Sequence, residues 1–291
     1  MKFTKFIDND KISRTSINTI FEYTNKFLTQ EGTNTHCIGK VLCNAFFKPT
    51  YENDLQFEIA MNKLGGKVIQ LDKDKCFNND IETFEDSIKR ISNYSDIIVL
   101  SYDSFQSIKN VSKKINACII NSGCDKTRDM VQPLVDLFTL YKNFDIDNES
   151  LKILFVGDLY DDNIQSFKKI LALYSNIHTS HVEQWNNINE GIYNVIYYCQ
   201  PVPSNETIVN INEIDKKLDK KTIIMHPNNN NIEIYNTIDK KPCSVFSTQD
   251  KFGIYVRMSI IYTVLFNLQD NTYDTLEYNY LNQLQSEIHH W

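Results

Sequence analysis

FFKPTYENDLQFEIAMNKLGGKVIQLD, residues 46–72, carries the reading of the fold. Its middle, 54–64, is an amphipathic helical stretch after a polar turn, and the chain repeats the same alternation on both sides of it. Short apolar runs rich in β-branched or aromatic residues stand at IIVLSY (97–102), ACIINS (117–122), KILFVGD (152–158), NVIYYCQ (194–200) and TIIMHP (222–227). Each ends in a turn or polar segment. Buried parallel strands read this way because both of their faces are covered. Amphipathic helical stretches lie at 16–28, 83–92, 132–143 and 163–174. The pattern predicts an α/β protein of two domains, each a parallel sheet flanked by helices, joined by the long helix after Gln132.

The polar segment NFDIDNES (143–150) precedes a fresh strand and places the boundary, giving a first domain over 1–142 and a second over 143–255. VRMSIIYTVLFNL (256–268) reads as an apolar helix, and Leu276, Tyr280, Leu281, Leu284 and Ile288 form a helical stripe beyond it. The helices of about 256–291 are expected to pack back on the first domain.

The 291 residues carry a net charge of -7 and no stripe of Lys or Arg, which argues against a nucleic acid or an anionic membrane as partner. Cys37, Cys43, Cys76, Cys118, Cys124, Cys199 and Cys243 form no CxxC pair, and no His stands at zinc-ligand spacing. That usage suits a reducing compartment. With no signal-like leader and no run of about 18 apolar residues, the expectation is a cytoplasmic protein. GxGxxG, GxxxxGK[ST], GxSxG and HExxH are absent, so no cofactor and no metal is called for. Asp158, Asp161 and Asp162 in GDLYDDN admit a cation site, but a solvated turn explains them more simply.

Residues 46–72 resemble the hallmark of the aspartate/ornithine carbamoyltransferase family, in which a strand ends in FFEPSTRTR and a helix begins with an SFE pattern leading to LGG. Phe46, Phe47, Pro49, Leu55, Phe57, Glu58, Ala60, Met61, Leu64, Gly65 and Gly66 match it. The resemblance continues through ETFEDSIKRISNYSDIIVL (82–100), IINSGCDKTRDMVQPLVDLFTLY (119–141), LKILFVGDLYDDN (151–163) and GIYVRMSIIYTVL (253–265), the last retaining Arg257. GDL, DLFTL and HP place it nearer the aspartate branch.

The resemblance implies that the loop at Thr50, Tyr51, Glu52, Asn53 and Asp54 once cradled a phosphate, with Glu52 and Asp54 at the positions of two arginines. At 4 Å and an effective dielectric near 20, each such charge contact is worth about 4 kcal/mol, so reversing one sign moves the interaction by roughly twice that. The dipole of a helix N-terminus supplies about 0.3–1 kcal/mol and does not compensate. Acids there also cap a helix, and capping acids still do not bind phosphate as arginines do. Cys76 and Asp80 stand where the family lends a Ser and a Lys to the neighbouring subunit, and Ser101 where it has the arginine of RHP. Asp129 replaces the carbonyl-polarising histidine, while Gln132 survives. In the amino-acid pocket Asp162 and Gln200 replace arginines; His226 and Pro227 match the start of HPLPR, and Asn228 departs from it.

No catalytic set is intact by this reading. The resemblance therefore implies an aspartate carbamoyltransferase-like pseudoenzyme, a homotrimer, with a pyrimidine-pathway enzyme as a further partner. Two other readings stay open: an active amino-acid carbamoyltransferase with a non-standard anion site, and a module binding a cation or amine where Glu52, Asp54, Asp80, Asp129 and Asp162 converge.

Overall fold

The β-branched runs become strands of two parallel sheets in the computed structural model, which describes residues 5–8, 12–30, 35–47, 51–71, 83–124, 129–184, 188, 193–199, 218, 221–227, 238 and 241–266. The first sheet holds β1 (Lys5–Phe6), β2 (Val41–Phe46), β3 (Lys67–Gln70), β4 (Ile97–Ser101) and β5 (Cys118–Asn121) in the order β1-β5-β4-β2-β3. The second holds β6 (Leu151–Val156), β7 (Ile177–Val182), β8 (Val195–Tyr198) and β9 (Ile223–Met225) in the order β7-β6-β8-β9. Every pairing is parallel, with Ile98 opposite Ile119 in the first sheet and Leu154 opposite Ile196 in the second.

Helices connect β1 to β2, β2 to β3, β3 to β4, β4 to β5, β5 to β6 and β6 to β7, the usual connection of parallel strands. The described helices are α1 (Arg14–Thr29), α2 (Tyr51–Lys63), α3 (Phe84–Ile91), α4 (Phe105–Ser112), α5 (Gln132–Asn143), α6 (Asp162–Leu171) and α7 (Phe246–Phe266). Their starts carry side-chain caps: Ser13, Thr83, Ser104 and Asp161 each accept a backbone N–H from the first turn. In α3 the acids Glu85 and Asp86 sit in the first turn and Lys89 and Arg90 in the last, complementing the helix dipole.

The linking helix α5 runs over 132–143, the span its amphipathic pattern predicts. The last described helix starts ten residues before the apolar run at 256, because its first turns carry the polar Gln249, Asp250 and Lys251. The stripe over 276–288 lies outside the described residues. Strands β1, β3 and β7 and helix α4 have no counterpart among the runs read from the sequence, and β2 enters there only through the resemblance. Strand β7, IHTSHV, lies at a sheet edge with a largely exposed face, so it lacks the apolar run of a central strand. Helix α4, FQSIKNVS, is only eight residues long and offers two turns of pattern.

One apolar core runs from the first sheet through α5 and α7 to Phe155, Phe167 and Tyr197 of the second sheet. Helix α7 packs against α1, α2 and α5. Thr24 Oγ1 donates to Ser259 Oγ at 2.9 Å inside the α1–α7 contact, and Tyr23 meets Tyr262 at a centroid distance of 4.9 Å. Phe138 of α5 stands edge-on to both Phe21 of α1 and Phe252 of α7, at 5.0 and 5.1 Å. No described helix is long and apolar enough to cross a membrane.

Candidate functional site

Open parallel sheets bind ligands outside the carboxyl ends of their strands. In the first sheet those ends are Phe46, Ser101 and Asn121, and the first turns of α2 and α5 lie nearby in the chain. Gly123, at φ +112°, turns the chain beyond β5, and a backbone bridge between Ser122 and Asp129 brings it back to the start of α5. The left-handed backbone there suits glycine alone.

Ser101, which the resemblance sets against a family arginine, is 0% exposed, and its hydroxyl has no hydrogen-bond partner among the described residues. Its carbonyl accepts the Phe47 N–H at 2.9 Å. Phe47, Phe84 and Tyr102 form an aromatic cluster with Leu100 and Ile98 of β4, with centroids 5.5 and 5.6 Å from Phe47 and a stacked Phe84–Tyr102 pair at 3.8 Å. A guanidinium in this place offers five donors; a buried hydroxyl offers one and no charge. Burying an anion here carries a desolvation cost that this side chain does not offset.

Asp54 is tied inward. Asn44 Nδ2 of β2 donates to its carboxylate at 2.6 Å and to its carbonyl at 3.2 Å. Asp129 caps α5: its Oδ1 accepts the Val131 N–H at 2.7 Å and the Gln132 N–H at 3.4 Å. Burial raises its carboxyl above the usual carboxylate range, opposed by the Val131 N–H, the Arg257 charge and the Gln132 N–H. Arg257 is itself 0% exposed; it donates to the Gly253 carbonyl at 3.0 Å and faces the Phe57 ring at 5.3 Å. Its charge therefore belongs to the interior of the α2–α7 contact.

In the second half Asp162 occupies the first turn of α6, where Asp161 accepts the Asn163 and Ile164 N–H groups at 2.8 and 3.4 Å. Asp158 accepts the Tyr160 N–H at 2.9 Å. Two of the three acids in this turn thus satisfy backbone donors. The His226 ring stands edge-on to Phe246 at 4.2 Å, and Pro227 is buried next to it. Tyr51, Glu52 and Asn53 form the first turn of α2. Thr50, Cys76, Asp80, Gln200 and Asn228 lie outside the described residues. Among the described residues no group of three or more His, Cys, Asp or Glu side chains is arranged to hold a metal ion.

A network that the sequence reading did not single out joins Gln132 at the start of α5 to His226 beyond β9. Gln132 Nε2 donates to Asp136 Oδ1 at 2.8 Å, and Gln249 Nε2 donates to the same oxygen and to the His226 carbonyl, each at 2.6 Å. Tyr197 of β8 donates its hydroxyl to Asp136 Oδ2 at 2.6 Å. Gln132 and His226 are thereby linked through one fully buried carboxylate. The available signal was an acid inside PLVDLFTL, an otherwise apolar face of a helix.

Two parallel sheets flanked by helices and joined through one largely buried helix define an α/β protein. The chain belongs to the aspartate/ornithine carbamoyltransferase family. Residues 4–142 match the family model described as aspartate/ornithine carbamoyltransferase, carbamoyl-P binding domain. The chain is 30% identical over 260 residues to the aspartate carbamoyltransferase catalytic subunit of Methanocaldococcus jannaschii, covering 77% of this chain and 84% of that one. It is 28% identical to the catalytic subunit of Methanococcus vannielii, covering 89% and 97%. It also matches the multifunctional protein ura1 of Schizosaccharomyces pombe at 25% identity, spanning 13% of the length of that protein. Aspartate transcarbamoylase from Trypanosoma cruzi, solved with carbamoyl aspartate and phosphate, shares the fold with a TM-score of 0.80 over 90% of this chain and 96% of that one, at 19% identity.

Proposed function

We propose that this protein is an aspartate carbamoyltransferase-like pseudoenzyme that has lost carbamoyl phosphate binding and acts as an inactive subunit, scaffold or regulator. The observation that carries the reading is the state of the residues at the family's cationic and acid/base positions. Ser101 is a buried hydroxyl, Asp129 accepts the backbone N–H groups of Val131 and Gln132 at the start of α5, and Asp54 is held by Asn44. None of them presents a cation to a phosphate. Glu52 adds a second carboxylate to the α2 start, where two arginines would be needed.

In this reading residues 1–142 form a carbamoyl-phosphate-binding-like domain, residues 143–255 an amino-acid-binding-like domain, and the segment 256–291 returns to the first. The assembly is a homotrimer in the cytoplasm, with a pyrimidine-pathway enzyme as partner. Asp80 in place of a lent lysine would spoil an adjacent active site, which favours like chains over a mixed trimer.

The test is a radiolabelled carbamoyl phosphate assay with aspartate and with ornithine. Neither carbamoylated product should form above the buffer rate. Turnover with either amino acid would overturn the proposal in favour of an active carbamoyltransferase with a non-standard anion site. That second reading draws support from the relatives, which are named catalytic subunits and are covered along most of their length. A third reading, a cation or amine site in the acidic pocket, requires heat on titration with divalent cations or polyamines. The engagement of Asp54 and Asp129 with internal donors speaks against it.

A further inference from the structure

The second sheet ends on β7, IHTSHV, a six-residue strand that pairs only with β6 among the described strands. The Leu151 N–H donates to the Asn176 carbonyl and the Gly157 N–H to the Val182 carbonyl, each at 3.0 Å. Backbone groups of successive residues in an extended strand point to opposite sides, so the even-numbered residues of β7 are the ones that bond to β6. The N–H and C=O groups of Thr179 and His181 therefore face outward from the sheet. His178, Thr179 and Ser180 are exposed.

Natural sheets shield such edges with short strands, charges, proline or a covering segment. The other described edges follow that rule. β1 is two residues long, β3 opens on Lys67 and runs for four residues, and the outer side of β9 is closed by the bridge from Ile224 to Ser244. β7 carries no proline, no lysine and no carboxylate along its length. A row of outward donors and acceptors of this kind is matched by another extended strand. We infer that β7 is a self-association site, pairing antiparallel with β7 of a second copy of this chain about a two-fold axis at Ser180.

The register argues for a copy over a foreign strand. About that axis, residues whose numbers sum to 360 stand opposite each other. Thr179 then faces His181 of the copy, and these are the residues with outward backbone groups, so each such pair exchanges its N–H and C=O groups. His181 Nε2 donates to the Gly157 carbonyl at 2.7 Å, because a carbonyl oxygen only accepts. That leaves Nδ1 of the neutral ring to accept the Thr179 hydroxyl of the copy. Ser180 meets its own copy, hydroxyl to hydroxyl, and His178 lies opposite Val182. Glu183, the first charged side chain after the strand, falls opposite Ile177, so no like charges face each other. An axis at Thr179 would instead set His181 against Ile177, whose N–H already donates to the Tyr174 carbonyl at 3.3 Å. The inference goes beyond the reading above and does not depend on whether the chain is catalytic; the contact doubles whatever assembly forms elsewhere on the surface.

An edge contact of this length is small, so association is weak and concentration-dependent. Sedimentation of the full chain between about 1 µM and about 1 mM should show the average mass rising toward twice that of Thr179→Pro at the same concentration. Proline at this position removes only an outward N–H, so the pairing with β6 is kept and the circular dichroism should match the parent. Ser180→Lys sets like charges against each other at the axis and should give the same half mass. Ser180→Cys, with Cys76 and Cys243 changed to Ser, tests the register. Directly opposite residues of a non-hydrogen-bonded antiparallel pair lie about 4.5 Å apart at Cα, so mild oxidation should join two chains through this cysteine. His178→Cys in the same background should stay single, because the two copies of residue 178 lie about 14 Å apart. Equal masses for the parent and Ser180→Lys would overturn the inference, as would a cross-link that forms through position 178 or fails to form through position 180. A parent that stays at the lower mass while a synthetic IHTSHV peptide binds it would assign the edge to a foreign strand and likewise sink the self-association. Should Thr179→Pro fail to fold, Ser180→Lys and the two cysteine variants decide.

Discussion

Asp136→Ala is expected to lower the unfolding free energy by about 3–5 kcal/mol, read as a shift of the urea midpoint at unchanged slope. The substitution removes the one acceptor that Tyr197, Gln132 and Gln249 share, so a hydroxyl and two amides are left in the core facing a small cavity. Asp136→Asn separates charge from shape. Its Oδ1 still accepts from the glutamines and its amide donates to the Tyr197 oxygen, so at pH 8 it should lie within about 1.5 kcal/mol of the parent or above it. A large loss in both variants would mean that the negative charge itself stabilises the junction, contrary to the raised carboxyl.

Phe138→Ala should cost a similar amount, about 3–5 kcal/mol, for a different reason. The ring is 0% exposed and stands edge-on to Phe21 of α1 and Phe252 of α7, so three helices meet on it. Truncation leaves a void bounded by three separate elements, none of which can collapse without moving the others. Phe138→Leu keeps most of the volume and should lose roughly 1–1.5 kcal/mol. Thermal unfolding of the two variants side by side checks the ordering; equal losses would show that the edge-on geometry, rather than volume, dominates. Asp136 and Phe138 together make α5 the element on which both halves depend.

The two residues differ in how readable they were. Phe138 sits in DLFTL, where an apolar pattern announces a buried face. Asp136 stands in the same run, and nothing local tells a buried acid from one turned to solvent. Its partners lie 4, 61 and 113 residues away in the chain. Such pairings are matters of tertiary proximity, which spacing along one helix does not carry.

The same division runs through the candidate site. The proposal that acidic or neutral residues stand at the family's cationic positions rests on the order of residues, because charge is a property of the side chain wherever it sits. What Asp129 does was not. It has become a capping acceptor for the start of α5, a role set by the bridge between Ser122 and Asp129 that returns the loop to the helix. Ser101 likewise read as a lost arginine, while its complete burial is a matter of tertiary packing.

By itself the sequence determined the alternation of buried strands and amphipathic helices, the extent of α5 and the family. These follow from local periodicity and from side-chain chemistry. Only the tertiary structure decided which edge strand joined the second sheet, that α7 binds α1, α2 and α5 into one core, and that a single carboxylate joins the two halves. Edge strands show no apolar run, and the donors that converge on a buried acid come from segments that only folding brings together.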